Sequence, residues 1–209
     1  MITVVDYGYG NIFSIVSAFN EIGYSCIVSD KKTDILNASI IVLPGVGSFK
    51  QAMKSLANKK LDKIIIEAVS NNKNIIGICL GYQMLFNKSN EFGVHRGLGL
   101  VEGEVKSLES FDGSLAKIPN VGWRPLIINK KNDLITLENN NKMFYFVHSF
   151  VPVAKYEMQI SSFIKFNNNK IHVSIHYKNI VGFQFHPEKS GLFGLNLLKE
   201  SIKYLLNRN

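Results

Sequence analysis

The first half of the chain alternates short apolar runs with amphipathic stretches. That alternation constrains the fold more than any other feature of the 209 residues. "ITVVDY" (2–7) is an apolar run that ends in glycines. "NIFSIVSAFNEIG" (11–23) follows, with Ile12, Ile15, Val16 and Phe19 at helical spacing and Gly23 as its stop. "SCIVSD" and "ASIIVLPGVGSF" repeat the strand signal, the second breaking at a glycine-rich turn. "SFKQAMKSLANKKLDKIIIEAVSNNK" reads as helix, in one piece or two, then "NIIGIC" as strand and "LGYQMLFN" as helix. Such repetition implies parallel strands with helical crossovers. From about Gly97 to Phe185 the pattern turns to strands: "LGLVEGEVKSL", "RPLIIN", "MFYFVHSF", "MQISSFIKF", "KIHVSIHY" and "IVGFQFHP". "GLFGLNLLKESIKYLLNR" is a closing amphipathic helix. The expectation is an α/β fold: a doubly wound, mostly parallel sheet flanked by helices, with a β-rich second half, in one domain spanning 1–209.

In sheets of this kind ligands bind at the carboxyl ends of the strands. The turns after Leu43 and Ile78 are placed there. The second holds Gly77-x-Cys79-x-Gly81, which has the shape of a nucleophile elbow. The turn is crowded, so its flanks favour residues without a Cβ. The next helix turns its positive end toward the sulfur, which favours a thiolate, and the Leu80 N–H is expected to be free for an oxyanion. A buried core cysteine is the plain alternative, and Cys26, which lacks this context, is read that way.

A nucleophilic thiol needs a base. His186 follows a strand in "GFQFHPEKS", and Glu188 stands two residues on, with Pro187 stiffening the turn. That carboxylate can fix the imidazole tautomer, as the third member of a triad does. His172 and His176 fall within a strand and His95 in a polar loop; His148 can line the site but has no carboxylate near it in sequence. Pro44-Gly45-Val46-Gly47 can offer further N–H groups to an oxyanion; it lacks the lysine and spacing of a phosphate loop.

Composition removes several other classes. No apolar stretch approaches the ~20 residues of a bilayer span. The start "MITVVDYGYGN" reads as a buried strand rather than a signal peptide, so the cytoplasm is expected. Two cysteines and five histidines show no disulfide framework and no metal-ligand spacing, so no metal is expected. The net charge is +8, but the lysines are scattered among asparagines with no basic block, so nucleic acid is not an expected partner. The charge suits acidic substrates or an acidic partner surface.

"PGVGSF", "GICLGYQMLF" and "FQFHPEKS", in that order, resemble the class I (triad) glutamine amidotransferases. "GYGNIFSIVSAF" and "FYFVHSF" extend the resemblance to the glutaminase subunits of imidazole glycerol phosphate synthases. The resemblance implies hydrolysis of glutamine through a cysteinyl thioester and transfer of ammonia to a (β/α)8 barrel synthase subunit. It implies Cys79, His186 and Glu188 as the triad, and Val46, Gly47 and Leu80 around the oxyanion. Gly47, Gly81, Gln83, Glu91, His148, Ser149 and Phe150 are implied to contact glutamine, and Asn11, Trp123, Tyr145 and Lys189 to face the synthase. By their residues alone, Gln83 also reads as a helix-surface side chain, Glu91 as a solvated loop acid and Trp123 as core. Two segments depart from the family pattern. "IPNVGWRPL" carries Asn120 and Arg124 where His and Asn are usual, and "NEFGVHRGLGL" inserts Phe92. Similar variants occur in paralogues that supply ammonia for acetamidino-sugar formation, which leaves that acceptor as the alternative. A non-catalytic partner-binding module and a cysteine peptidase are the rival readings from other classes.

Overall fold

The computed structural model describes residues 1–112, 118–129 and 135–207. In chain order its elements are β1 (Ile2–Val5), α1 (Ile12–Glu21), β2 (Cys26–Ser29), α2 (Lys32–Leu36), β3 (Ile40–Leu43), α3 (Phe49–Asn58), α4 (Leu61–Ser70), β4 (Asn74–Ile78) and α5 (Leu80–Met84). Then come β5 (Phe86–Ser89), β6 (His95–Arg96), β7 (Val101–Ser107), α6 (Glu109–Asp112), β8 (Asn120–Pro125), β9 (Ile127–Ile128), β10 (Met143–His148), β11 (Phe150–Ala154), β12 (Ile160–Phe166), β13 (Asn169–Tyr177), β14 (Ile180–Phe183) and α7 (Gly191–Leu206).

The main sheet has eight strands in the order β2-β1-β3-β4-β14-β13-β12-β9. The pairings from β2 through β14 are parallel, and those from β14 to β9 are antiparallel. Residues of the central strands alternate between two cores. Ile40, Val42, Ile76 and Ile78 face α1, α7 and the inner side of β10. Ile41, Leu43 and Ile75 face α3, α4, α5 and strands β5 and β7. A four-stranded sheet, β11-β7-β5-β6, and an antiparallel ribbon of β8 and β10 complete the described residues. None of their helices is long and apolar enough to cross a membrane.

The helical reading of 48–73 resolves into two helices, because Lys60 adopts φ 60 and turns the chain between them. The helix expected over 80–87 is shorter than its sequence suggests. α5 ends at Met84, and Phe86–Ser89 is a strand paired with β7. "LGYQMLF" is apolar almost throughout, so no polar face marks where the helix stops. The strand that takes over is defined by partners about fifteen residues away. "RPLIIN" divides between β8 and β9. The closing helix stops at Leu206, and Arg208 lies outside the described residues.

One packing detail sets the height of α5 above the sheet. Gly77 of β4 and Gly182 of β14 are register partners on adjacent strands. The Tyr82 ring lies over this bare patch: a methyl built on Gly182 would overlap its Cδ2, and one on Gly77 would come within 2.8 Å of its Cα. Gly182→Ala is therefore expected to lower stability by about 1–3 kcal/mol, the usual cost of overpacking. A lower midpoint in urea unfolding would register this, and an unchanged midpoint would contradict the close approach of ring and strand.

Candidate active site

β1, β3, β4 and β14 run parallel, so the residues after each emerge along one edge of the sheet. Tyr7–Asn11, Pro44–Gly47, Cys79 and Gln184–Ser190 meet there. Cys79 sits between β4 and α5 with φ 55 and ψ −110, an arrangement rare for a residue with a Cβ and worth roughly 1–3 kcal/mol of strain. It is held by its own N–H, which donates to Phe183 O at 2.7 Å. Gly81 allows the close approach on the other side, since a Cβ there would overlap Leu43 O. α5 has five residues, so its axial field is small and the local N–H groups matter more than the dipole expected from a long helix.

His186 and Glu188 join Cys79 at this edge. The His186 side chain is buried and its Nδ1 lies 2.7 Å from Glu188 Oε1, whose side chain is buried as well. Nε2 makes no hydrogen bond of its own. Burial pulls the His186 pKa down, but the nearby Cys79 sulfur and the Glu188 carboxylate outweigh it and push it up to about 10. The ring therefore favours imidazolium, with Glu188 accepting from Nδ1–H. The Cys79 thiol lies 4.0 Å from Val147 O.

The oxyanion donors are not assembled as the sequence suggests. Leu80 N–H is not free: it donates to Gly45 O at 3.4 Å. In a trans peptide the N–H points opposite the carbonyl, so Val46 N–H is directed away from Leu80. Gly45 is tightly enclosed, since a Cβ there would lie 2.8 Å from Gly81 N, Leu80 Cβ and Tyr7 Oη. Gly47 has φ +98 with open space where a Cβ would be. Tyr7, a residue the sequence did not single out, anchors the start of this segment by donating its O–H to Pro44 O at 2.7 Å.

A cavity of about 460 Å³ opens over the cysteine. Val46, Gly47, Cys79, Leu80, Gln83, Glu91, His148, Ser149, Phe150 and His186 all line it. Gly81 does not, and its place against Leu43 O makes it a packing residue rather than a lining one. Gln83 is buried, which excludes the helix-surface reading; its Nε2 donates to Phe150 O at 2.9 Å and to Gln184 Oε1 at 3.0 Å. Glu91 is not a solvated loop acid either. Its Oε2 accepts from Phe49 N–H at 2.6 Å and so caps α3, which has no side-chain cap of its own. Phe92, beside it, has φ 50 and places its ring centroid 6.2 Å from that of Phe150 at the cavity wall.

Asn120 and Arg124, both from the segment "IPNVGWRPL", sit behind His148. Arg124 Nε donates to Asn120 Oδ1 at 3.0 Å. The Asn120 amide, so oriented, donates to His148 Nε2 at 2.9 Å. The proton of the neutral ring is then on Nδ1, which donates to Phe150 O at 2.9 Å. Burial holds the His148 pKa down to about 4, against the raising effect of its bond to Phe150. A second buried amide escaped the sequence reading. Gln184 is fully buried and its Nε2 lies 3.8 Å from Cys79 Sγ. The signal was a lone polar residue inside the apolar run "IVGFQF".

The residues expected to face a synthase lie around the same edge. Trp123 is half-exposed and packs edge-on against Tyr145, centroids 6.0 Å apart, so it is not core. Tyr145 in turn lies 6.5 Å from the His186 ring. The outer face of the ribbon also carries exposed Val121, Met143 and Val147. Asn11 caps α1, its Oδ1 accepting from Ser14 N–H, and Lys189 is exposed beside Glu188.

Comparison with known proteins shows the family. The family model for glutamine amidotransferase class-I matches residues 3–203. Imidazole glycerol phosphate synthase subunit HisH 2 of Vibrio vulnificus (strain YJ016) is 39 % identical over 206 residues, 98 % of this chain and 94 % of that one. Subunit HisH of Bacillus subtilis (strain 168) is 37 % identical over 205 residues, 97 % of this chain and 96 % of that one. Among solved structures, PurLQS from Thermotoga maritima superposes with a TM-score of 0.73 at 21 % identity, covering 98 % of each chain, a likeness of fold. The chain belongs to the class-I glutamine amidotransferase family, in the branch of the HisH subunits.

Proposed function

We propose that Cys79, His186 and Glu188 hydrolyse the side-chain amide of glutamine, and that the ammonia passes to a (β/α)8 barrel synthase subunit docked on the β8–β10 ribbon. The observation that carries this is the meeting of a strained, cavity-facing cysteine with an imidazole whose Nδ1 is 2.7 Å from a buried carboxylate. Cys79 Sγ attacks the amide carbon. The His186 imidazolium, its Nε2 unpartnered in the protein, gives a proton to the leaving ammonia. The neutral ring then takes a proton from water, which releases glutamate from the thioester. The cavity's main-chain segment 148–150 and Glu91 suit the two ends of a free amino acid: peptide groups for its carboxylate, a carboxylate for its ammonium.

In the described conformation the Gly45 carbonyl occupies the place the oxyanion needs. Rotation of the Gly45–Val46 peptide would remove that carbonyl and turn Val46 N–H inward beside Leu80 N–H. We assign this rotation to synthase docking. The ribbon supports the assignment: Tyr145 O accepts from His186 N–H at 3.0 Å, so the strand with the outer apolar face also holds the base. The HisH relatives favour imidazole glycerol phosphate synthesis over sugar amidination as the destination of the ammonia.

Glutamate release, followed with and without the cognate barrel protein, tests the reading. The chain alone should be slow and the complex fast. Cys79→Ala should abolish the activity in the complex, and substantial residual turnover would overturn the triad. Trp123→Ala should weaken docking by about 2 kcal/mol, roughly thirtyfold in Kd by calorimetry, as a central aromatic anchor does. Equal affinity of parent and variant would move the interface elsewhere.

His148 gives a pH prediction. Its folded pKa of about 4 lies below the ordinary 6.5, so between those values the unfolded chain binds a proton that the folded chain does not. Stability then falls as pH drops through this window, by up to about 3 kcal/mol at the acid end. Urea unfolding of parent and His148→Asn across the window should show a difference that shrinks toward acid. A constant difference would mean that His148 is not held neutral by burial.

A further inference from the structure

Gln184 has no part in the triad or in the cavity wall, yet it touches the nucleophile. It is fully buried, and its two polar atoms are both committed. Oε1 accepts from Gln83 Nε2 at 3.0 Å, and Nε2 lies 3.8 Å from Cys79 Sγ. Which end faces the sulfur is dictated rather than arbitrary. Phe150 O can only accept, so the group of Gln83 beside it, 2.9 Å away, must be the amide N–H₂. The second N–H of that group fixes Oε1 of Gln184, and the remaining end, a donor, is turned to the sulfur. Phe150 O also accepts from the His148 Nδ1–H, itself fixed through Asn120 by Arg124. A continuous series of hydrogen bonds thus connects the ribbon to the reacting atom, its sense reversing at Phe150 O, which accepts from both sides.

We propose that Gln184 is the hydrogen-bond donor that holds the Cys79 sulfur as a thiolate and aims it at the cavity. A neutral thiol sulfur accepts only weakly, and the donor's bond to it gains strength as the sulfur becomes charged, since bonds to ionised acceptors are about twice as strong. Gln184 follows β14 directly, two residues before His186, so one segment of chain brings both groups to the sulfur. The titratable groups around that sulfur are His186 with Glu188 behind it, Tyr7 under the Pro44–Gly47 segment, and His148 and Glu91 in the cavity wall. Gln184 adds a neutral donor to this set, insensitive to pH itself.

The proposal rests on the glutaminase reading only for its rate measurement. The test is the pH dependence of Cys79 alkylation by iodoacetamide in the full chain, read by mass spectrometry of the Cys79 peptide so that Cys26 does not contribute. In Gln184→Met the midpoint should rise by about one pH unit, the loss expected for a hydrogen bond to a charged group. In Gln184→Glu, which keeps the shape and puts a carboxylate beside the sulfur, it should rise further. In the synthase complex Gln184→Met should lower kcat for glutamine hydrolysis about tenfold, equivalent to that shift, with KM close to the parent value. An unmoved midpoint in whichever variant folds overturns the proposal. So does a rise in KM with kcat intact, which would mean that Gln184 acts only by supporting Gln83. If the parent chain does not hydrolyse glutamine at all, the functional reading fails while the alkylation midpoint still decides the role of Gln184.

Discussion

The site depends on how closely a single helical turn can be laid on a parallel sheet. Gly77 and Gly182 leave a gap two strands wide, and the Tyr82 ring fills it. With α5 drawn down this far, the connection from β4 has no room for an ordinary turn. Cys79 is therefore forced to φ 55, with its side chain standing up from the strand ends. Gly81 against Leu43 O completes the approach. The strain at the cysteine is thus repaid by burial of an aromatic ring on the far side of the same turn, which is how folds commonly carry an unfavourable backbone angle at a functional residue.

Around this turn the polar groups divide by dielectric. His186 and Glu188 are buried together, and the Cys79 sulfur and the Glu188 carboxylate raise the ring's pKa against its burial. His148, equally buried but facing an amide and a carbonyl, stays neutral. Two histidines within one cavity wall are thereby held in opposite charge states, His148 by burial and His186 by its neighbours outweighing burial. Asn120 and Arg124, which looked like departures from a family pattern, fit this division. They supply the donor that a neutral His148 Nε2 requires.

Much of this was legible before any coordinates. The alternation in the first half implied parallel strands, and the residues proposed as nucleophile, base and carboxylate each carried a local signature: a glycine-flanked turn, a strand end, a proline-stiffened pair. What stayed hidden is what depends on partners distant in sequence. α5 ends at Met84 only because β7 claims the next residues. Glu91 reads as a loop acid until α3 is seen to lack a cap. The Gly45 carbonyl on Leu80 N–H is a choice between two peptide orientations that the same residues permit, and no sequence pattern records which is taken. Gln184 was visible as an anomaly without a meaning, because a buried amide declares its role only through what lies at each of its two ends.

The ribbon strand β10 has one further consequence. At Tyr145 and Val147 the side chains point outward while the carbonyls reach inward to His186 and Cys79. Under the proposed docking, recognition lies there in side chains and support in main chain, on the same residues. Mutation can rewrite the first without erasing the second. A lineage can therefore change the protein it serves by altering these outward groups while the peptide groups beneath keep their places. In such a molecule allegiance is the easily inherited variable and chemistry the fixed one.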